Sequence, residues 1–155
     1  MAQGKKSFTL DDLLPGGSTY HQLQPQNLYT AWWGNRLVET DLDGCNEINP
    51  KNGSKKVLFT LSQLNQWLGA GEDSSVVRSC YNVEFPDGGQ PWVATVVSGK
   101  GKNGGRPTSI YTVVDFKSGK KVWEQEYPAD ATALDRSPSS NSLAFVRQHN
   151  LYVTT

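Results

Sequence analysis

The feature that most constrains the fold is a succession of short apolar segments that fills the second half of the chain. Each segment is rich in β-branched and aromatic residues and is bounded by turn residues: Trp92–Val97, Ile110–Phe116, Val122–Tyr127, Leu143–Arg147 and Leu151–Thr154. Such segments are typical of strands, and the turn residues between them predict hairpin connections. The sequence therefore predicts an all-β, mainly antiparallel domain.

The first half of the chain fits the same class. Leu28–Trp33 and Arg36–Leu42 have strand composition, and the Gly-Asn pair between them is a hairpin turn signal. Val76–Phe85 is also apolar enough to predict a strand. Asp43–Lys55 contains many turn residues and predicts a solvated connection without a strand of its own.

One short helix interrupts the strands. The pattern predicts it over Thr60–Leu68, because Thr60 can cap the first turn, Gln63 completes a capping box and Gly69 supplies a left-handed exit. Its apolar residues recur at helical spacing and indicate contact with a core. A shorter helical turn is predicted after Thr9, near the N-terminus.

Charge and composition disfavour several classes of function. The 15 basic and 15 acidic residues balance, so no overall field attracts nucleic acid or an anionic membrane. No segment approaches the ~18 consecutive apolar residues of a membrane helix. No signal-peptide core is present in this chain, and residues 1–6 predict a flexible leader. Cys45 and Cys80 match no metal motif, and both a disulfide and two buried thiols are compatible with them.

The inventory of catalytic groups is small. The chain has no nucleophile elbow, zinc-peptidase motif, phosphate loop or dinucleotide fingerprint, so we predict no catalytic residue, no metal and no cofactor in it. His21 and His149 lie in predicted loops and are expected to be solvated. The paired carboxylates, such as Asp41 with Asp43, are interpreted as turn and strand-face acids. The residues alone therefore indicate a soluble β domain without a visible active site.

Two segments have a related pattern. Asp41–Gly44 and Asp115–Gly119 each end an apolar strand with an acidic turn and a glycine. Strands separated by such turns are typical of propeller blades, although a β-sandwich has much the same pattern. This repeat leaves both folds open.

Five segments resemble, in order, the start of the mature dipeptidyl peptidase IV family, serine peptidases of the prolyl oligopeptidase class. The resemblance extends from about Phe8 to Thr155 and is carried by these segments: FTLDDLLPGGSTY, NLYTAWWGNRLVETDLDG, VLFTLSQLNQWL, SIYTVVDFKSGKKV and DRSPSSNSLAFVRQHNLYVTT. It implies that 7–155 is a partial N-terminal β-propeller of about two blades, with units at about 27–98 and 109–155.

The resemblance also implies a function for a longer parent protein. Such a parent would be periplasmic or secreted and would release N-terminal dipeptides with Pro or Ala second, through a serine triad in an α/β-hydrolase domain of the same chain. The 155 residues lack that nucleophile, so the chain alone is expected to be inactive. Its part would be gating and recognition of the peptide substrate.

Arg106 is the one candidate for a substrate-binding residue. The family has an arginine that contacts the substrate carbonyl just before the outer strand that resembles Ser109–Asp115. Arg106 occupies a comparable position, but its Gly-Gly-Arg-Pro context differs from the family pattern and the spacing is shorter. An ordinary loop arginine in Ser98–Pro107 remains the alternative.

Two further expectations concern partners. As an alternative function, the chain could be a stand-alone binding module for a protein or glycan, with Trp32, Trp33 or Trp92 as its recognition surface. An incomplete propeller would expose sheet edges, so the isolated chain is expected to form oligomers or exchange strands.

Overall fold

The fold is built from three small antiparallel sheets. A computed structural model describes residues 7–20, 28–70, 76–99 and 106–154. In these ranges the first sheet comprises β1 (Thr30–Trp33), β2 (Arg36–Thr40), β3 (Gly44–Ile48) and β4 (Lys55–Thr60). The middle sheet comprises β5 (Trp92–Gly99), β6 (Thr108–Asp115) and β7 (Lys120–Pro128). The last sheet comprises β8 (Thr132–Arg136), β9 (Leu143–Arg147) and β10 (Asn150–Val153).

This architecture confirms the predicted fold class. All the strand pairings are antiparallel, and the described strands form no closed barrel, which is consistent with a partial β-propeller. Strand β5 pairs with β6 along its whole length, from Trp92 opposite Asp115 to Gly99 opposite Thr108. The division into blade-like units at about 27–98 and 109–155 remains a prediction.

Two helices accompany the sheets in the described part of the chain. Helix α1 spans Leu10–Leu13, and helix α2 spans Leu61–Trp67. The predicted capping box of α2 is confirmed, because the Gln63 backbone N–H donates to Thr60 Oγ1 at 3.3 Å and the Thr60 N–H donates to Gln63 Oε1 at 2.9 Å. Gly69 ends the helix with φ +87°, a conformation that favours glycine. None of the described helices is long and apolar enough to cross a membrane.

Two local predictions were wrong, and one strand was missed. β3 lies inside the stretch predicted to be a solvated connection, because pairing with β2 on one side and β4 on the other stabilises a polar strand. Val76–Phe85 has only one isolated bridge, Glu84 to Ala94, and no regular strand. The missed strand is β8, which has only moderate strand composition and pairs with β9.

The sheets enclose two cores, one on each face of the middle sheet. The first core lies between the first and middle sheets and includes α2; its buried residues are Trp33, Val38, Cys45, Phe59, Leu64, Leu68, Cys80, Val83, Val93, Val114 and Phe116. The second core lies between the middle and last sheets; its buried residues are Ala94, Tyr111, Val113, Tyr127, Leu143 and Phe145. Neighbouring residues such as Val93 and Ala94 belong to different cores, as the alternation of a strand requires.

Candidate functional site

A cavity of about 230 Å³ lies beside the second core, between the middle and last sheets. Tyr111 of β6 and the end of β8 form two of its walls, and the segment that precedes β5 forms a third. Its lining is mixed in character: Glu84, Pro86, Tyr111, Leu134, Asp135, Arg136 and Pro138. The middle and last sheets must both be in place for this cavity to exist.

The polar groups of the cavity are held in defined positions. The buried Tyr111 hydroxyl donates a hydrogen bond to Glu84 Oε2 at 3.1 Å. Burial and the nearby Glu84 carboxylate raise the pKa of Tyr111 well above its ordinary value, so the phenol stays protonated and remains a donor. Arg136 has a buried Nε without a hydrogen-bond partner, and its guanidinium lies 5.8 Å from the Trp123 ring centroid. The cavity can therefore bind polar groups.

Sequence reasoning missed these cavity residues. Tyr111 occupies a strand position that predicts only burial, and Arg136 and Glu84 match no motif. They come together because two sheets and an irregular segment pack at one place, which no local pattern indicates. The family resemblance included the Asp-Arg-Ser-Pro sequence at the end of β8 and the segment that contains Tyr111, but it assigned neither a role.

The acidic turns are structural, as predicted. Asp41 Oδ1 accepts the backbone N–H groups two and three residues ahead, at 2.8 and 2.7 Å. Asp115 accepts the corresponding pair, both at 2.8 Å, and Asp87 does so at 2.7 and 3.1 Å. These carboxylates fix turn geometry through hydrogen bonds to their own backbone. They are not arranged as a catalytic pair across a cleft.

The described histidine and the two cysteines have different environments. His149 is exposed in the β9–β10 turn with φ +65°, which agrees with the predicted solvated loop histidine; His21 lies outside the described residues. Cys45 and Cys80 are both free and buried. Within the described ranges, no group of three or more His, Cys, Asp or Glu side chains is placed to hold a metal ion.

Arg106 lies at one end of the middle sheet. It is exposed and precedes the first residue of β6, Thr108. Pro107 next to it accepts a hydrogen bond from the Ala129 N–H at 3.2 Å, which joins this end of β6 to the residues that follow β7. The preceding residues 100–105 of the predicted loop lie outside the described ranges. Contact between Arg106 and a substrate stays a prediction.

The three candidate recognition tryptophans have different environments. Trp33 is 5% exposed and its indole N–H donates to the Gln90 carbonyl at 2.8 Å, so it belongs to the core. Trp92 is half-buried. Trp32 is 67% exposed and points away from the first core, as the alternation along β1 requires. Only Trp32 retains the exposure that a recognition surface needs.

Comparison with known proteins agrees with the family resemblance of the sequence. No protein-family model matches the chain. A solved structure from Bacteroides ovatus, provisionally described as a dipeptidyl aminopeptidase IV, matches with a TM-score of 0.69 and 27% sequence identity. The match covers 96% of this chain, which spans 19% of the length of that protein. Over nearly all of its length the chain is thus similar to part of a dipeptidyl peptidase IV-like protein, which confirms the resemblance carried by its sequence motifs.

Proposed function

We propose that this chain is the N-terminal propeller part of a dipeptidyl peptidase IV-like serine exopeptidase of the periplasm or the extracellular space. The parent enzyme releases dipeptides with Pro or Ala second from peptide N-termini. Its α/β-hydrolase domain supplies the triad, whose serine attacks the carbonyl while an oxyanion hole stabilises the developing charge. The propeller part gates access and helps to recognise the substrate.

The similarity in structure is the observation that carries this proposal. It extends over 96% of the chain, and the ordered sequence motifs of the same family extend over the same residues. Sheets that stack face to face and bury both faces of the middle sheet also fit neighbouring blades of a propeller. A β-sandwich would pack two sheets, whereas the described residues form three stacked sheets.

The chemistry of the described residues supports a role for this chain in binding, not in catalysis. The described histidine is exposed in a turn, and the acidic turns hold their carboxylates on backbone N–H groups. The polar cavity offers a guanidinium, a phenol and two carboxylates, of which the phenol and the Glu84 carboxylate are hydrogen-bonded to each other. Such groups can bind a ligand or a neighbouring segment without cleaving it.

An activity assay tests the proposal. The chain alone and the product of the complete coding sequence are each incubated with a Gly-Pro chromogenic substrate. We expect turnover only from the complete product, and its loss when the predicted triad serine is changed to alanine. Turnover by the chain alone would contradict the assignment, and so would a complete product that is inactive on this class of substrate.

Arg106 is proposed to contact the substrate carbonyl in the parent enzyme. In the complete product, Arg106→Ala should lower kcat/KM for the Gly-Pro substrate roughly ten- to a hundredfold, because a hydrogen bond from a charged donor is lost. Lys117→Ala is a matched control, since Lys117 is an exposed cation at the opposite end of β6. Equal effects of the two substitutions would exclude this role for Arg106.

Self-association of the isolated chain follows from the same proposal. The outer strand β10 is exposed along its length, with Leu151 at 72% and Val153 at 62%. An edge strand with apolar side chains pairs readily with another chain. We expect sedimentation velocity to show association that increases with concentration and weakens in Leu151→Lys. A strict monomer at all concentrations would count against this expectation.

A stand-alone binding module is the second candidate, and the exposed Trp32 favours it. A large aromatic ring in solvent is typical of surfaces that recognise a protein or a glycan. Under this alternative, Trp32→Ala would abolish binding to an array of glycans or proteins while leaving the fold intact. Under the first proposal, Trp32 contacts another part of the same propeller, and no array ligand depends on it.

A further inference from the structure

Cys45 and Cys80, the two cysteines of the chain, meet in the first core although they are far apart in sequence. Cys45 lies in β3, and Cys80 lies in the irregular segment 76–85. Both are fully buried free thiols, and they lie in the same cluster of buried core residues. The fold thus brings two thiols together at one point.

The backbone maintains this contact. The Cys80 N–H donates to the Asp41 carbonyl at 2.9 Å, and the Asp41 N–H donates to the Gly44 carbonyl at 3.0 Å. Gly44 directly precedes Cys45. Two hydrogen bonds therefore tie the segment that contains Cys80 to the β2–β3 turn beside Cys45.

We propose that Cys45 and Cys80 are a disulfide-forming pair, which closes when a small disulfide or a thiol oxidase oxidises the protein. With a small disulfide, one cysteine thiolate attacks a sulfur of the reagent, forms a mixed disulfide and releases one reagent thiolate. The second cysteine then attacks the protein sulfur of that mixed disulfide and releases the other reagent thiolate. The two cysteines lose two protons and two electrons, and the reagent gains them.

The surroundings assign Cys80 as the attacking sulfur. The neighbouring Cys45 thiol lowers the pKa of Cys80, whereas the neighbouring Cys80 thiol and burial raise the pKa of Cys45. The thiolate is the reactive form of cysteine. Cys80 also lies in a segment without regular strand pairing, which is held by the Asn65 side chain, the hydrogen bond to Asp41 and a single β-bridge. Such a segment opens more readily than a paired strand and gives the oxidant access.

The bond would stabilise the fold. It would close a long loop that includes β4 and α2, so the unfolded chain would lose conformational freedom. We expect Tm to rise by roughly 10 °C on oxidation. Segment 76–85 would then be covalently attached to the first sheet. This inference does not depend on the proposed peptidase function.

The test uses the whole reduced chain, incubated with an excess of oxidised glutathione. Expected results are the loss of both thiols in a titration under denaturing conditions, an intact mass lower by two hydrogen atoms, and a cross-linked peptide that contains Cys45 and Cys80. Tm should rise and return to its reduced value after dithiothreitol. Stable glutathione adducts, or disulfide-linked dimers in place of the intramolecular bond, would overturn the proposal.

A second experiment covers the case in which oxidised glutathione does not reach the buried thiols of the folded chain. The chain is refolded from denaturant in a glutathione redox buffer, where the thiols are open to the reagent before the core forms. A refolded chain that still carries two free thiols would overturn the proposal. Cys45→Ala and Cys80→Ala are the matched controls, and neither should show the oxidant-dependent rise in Tm.

Discussion

The two interfaces of the middle sheet differ in how completely they are filled. Toward the first sheet, the interface contains a network of aromatic rings with centroids 5.0 to 6.5 Å apart, formed by Trp33, Phe59, Trp67, Phe85 and Phe116. Helix α2 and the segment 76–85 close its side. Toward the last sheet, the core is smaller, and a cavity of about 230 Å³ with polar walls lies beside it.

We expect the first interface to contribute more to stability and the second to offer groups that can bind a ligand. The first interface excludes water from a large apolar surface, which is the main favourable contribution to folding. The second interface leaves Arg136 Nε buried without a hydrogen-bond partner and Tyr111 bonded to an exposed carboxylate. Polar groups at a packed interface cost stability unless something satisfies them. We therefore expect substitutions to cost more at the first interface than at the second.

The largest effect is expected from Phe116→Ala. Phe116 contacts three other rings in the first interface, and its removal should lower the free energy of unfolding by about 4 kcal/mol. Phe145→Ala, the matched change in the second core, should cost less, about 3 kcal/mol, because that ring contacts two other rings in a smaller core. Urea unfolding measures both. Equal losses would contradict the distinction between the interfaces.

Asn65→Ala should have the next largest effect. The buried Asn65 side chain donates to the Leu61 and Val77 carbonyls and accepts from the Val76 and Val77 N–H groups. Its loss leaves these backbone groups unsatisfied at the side of the first interface and should cost about 3 kcal/mol. Gln66→Ala, on the exposed face of the same helix, should stay within about 0.5 kcal/mol. Similar midpoints for the two variants in urea would refute this role.

Tyr111→Phe should have the smallest effect and tests the second interface. At neutral pH the lost hydrogen bond to Glu84 should cost about 1 kcal/mol. The pKa of Tyr111 is raised in the fold, so the folded protein retains a proton that the unfolded chain releases above its ordinary pKa of 10.0. Stability is therefore lost as pH rises above that value, and Tyr111→Phe should reduce this loss. Tyr81→Phe, at an exposed ring, is the matched control variant.

The sequence predicted elements that depend on local chemistry. The β-branched and aromatic segments became strands, and Thr60, Gln63 and Gly69 delimit α2 as their side chains require. β3 was missed because its sequence is polar and its conformation depends on two partner strands. Segment 76–85 has strand composition, but Asn65 and Asp41 take up several of its backbone hydrogen bonds.

The candidate site was less predictable than the fold. Tyr111, Arg136 and Glu84 come together only when two sheets pack, and no spacing in the sequence indicates such an arrangement. The meeting of Cys45 and Cys80 has the same origin, because a hydrogen bond from Cys80 to Asp41 joins distant segments. The family resemblance was more informative about function than any residue pattern, since order and spacing of whole segments carry it.

We propose that this chain is part of a larger peptidase whose catalytic groups lie in another domain. The most direct test is to determine the coding sequence in frame beyond Thr155. The proposal predicts further propeller strands, then a Gly-x-Ser-x-Gly nucleophile elbow followed by an aspartate and a histidine. A stop codon directly after Thr155 would contradict it and favour the stand-alone binding module.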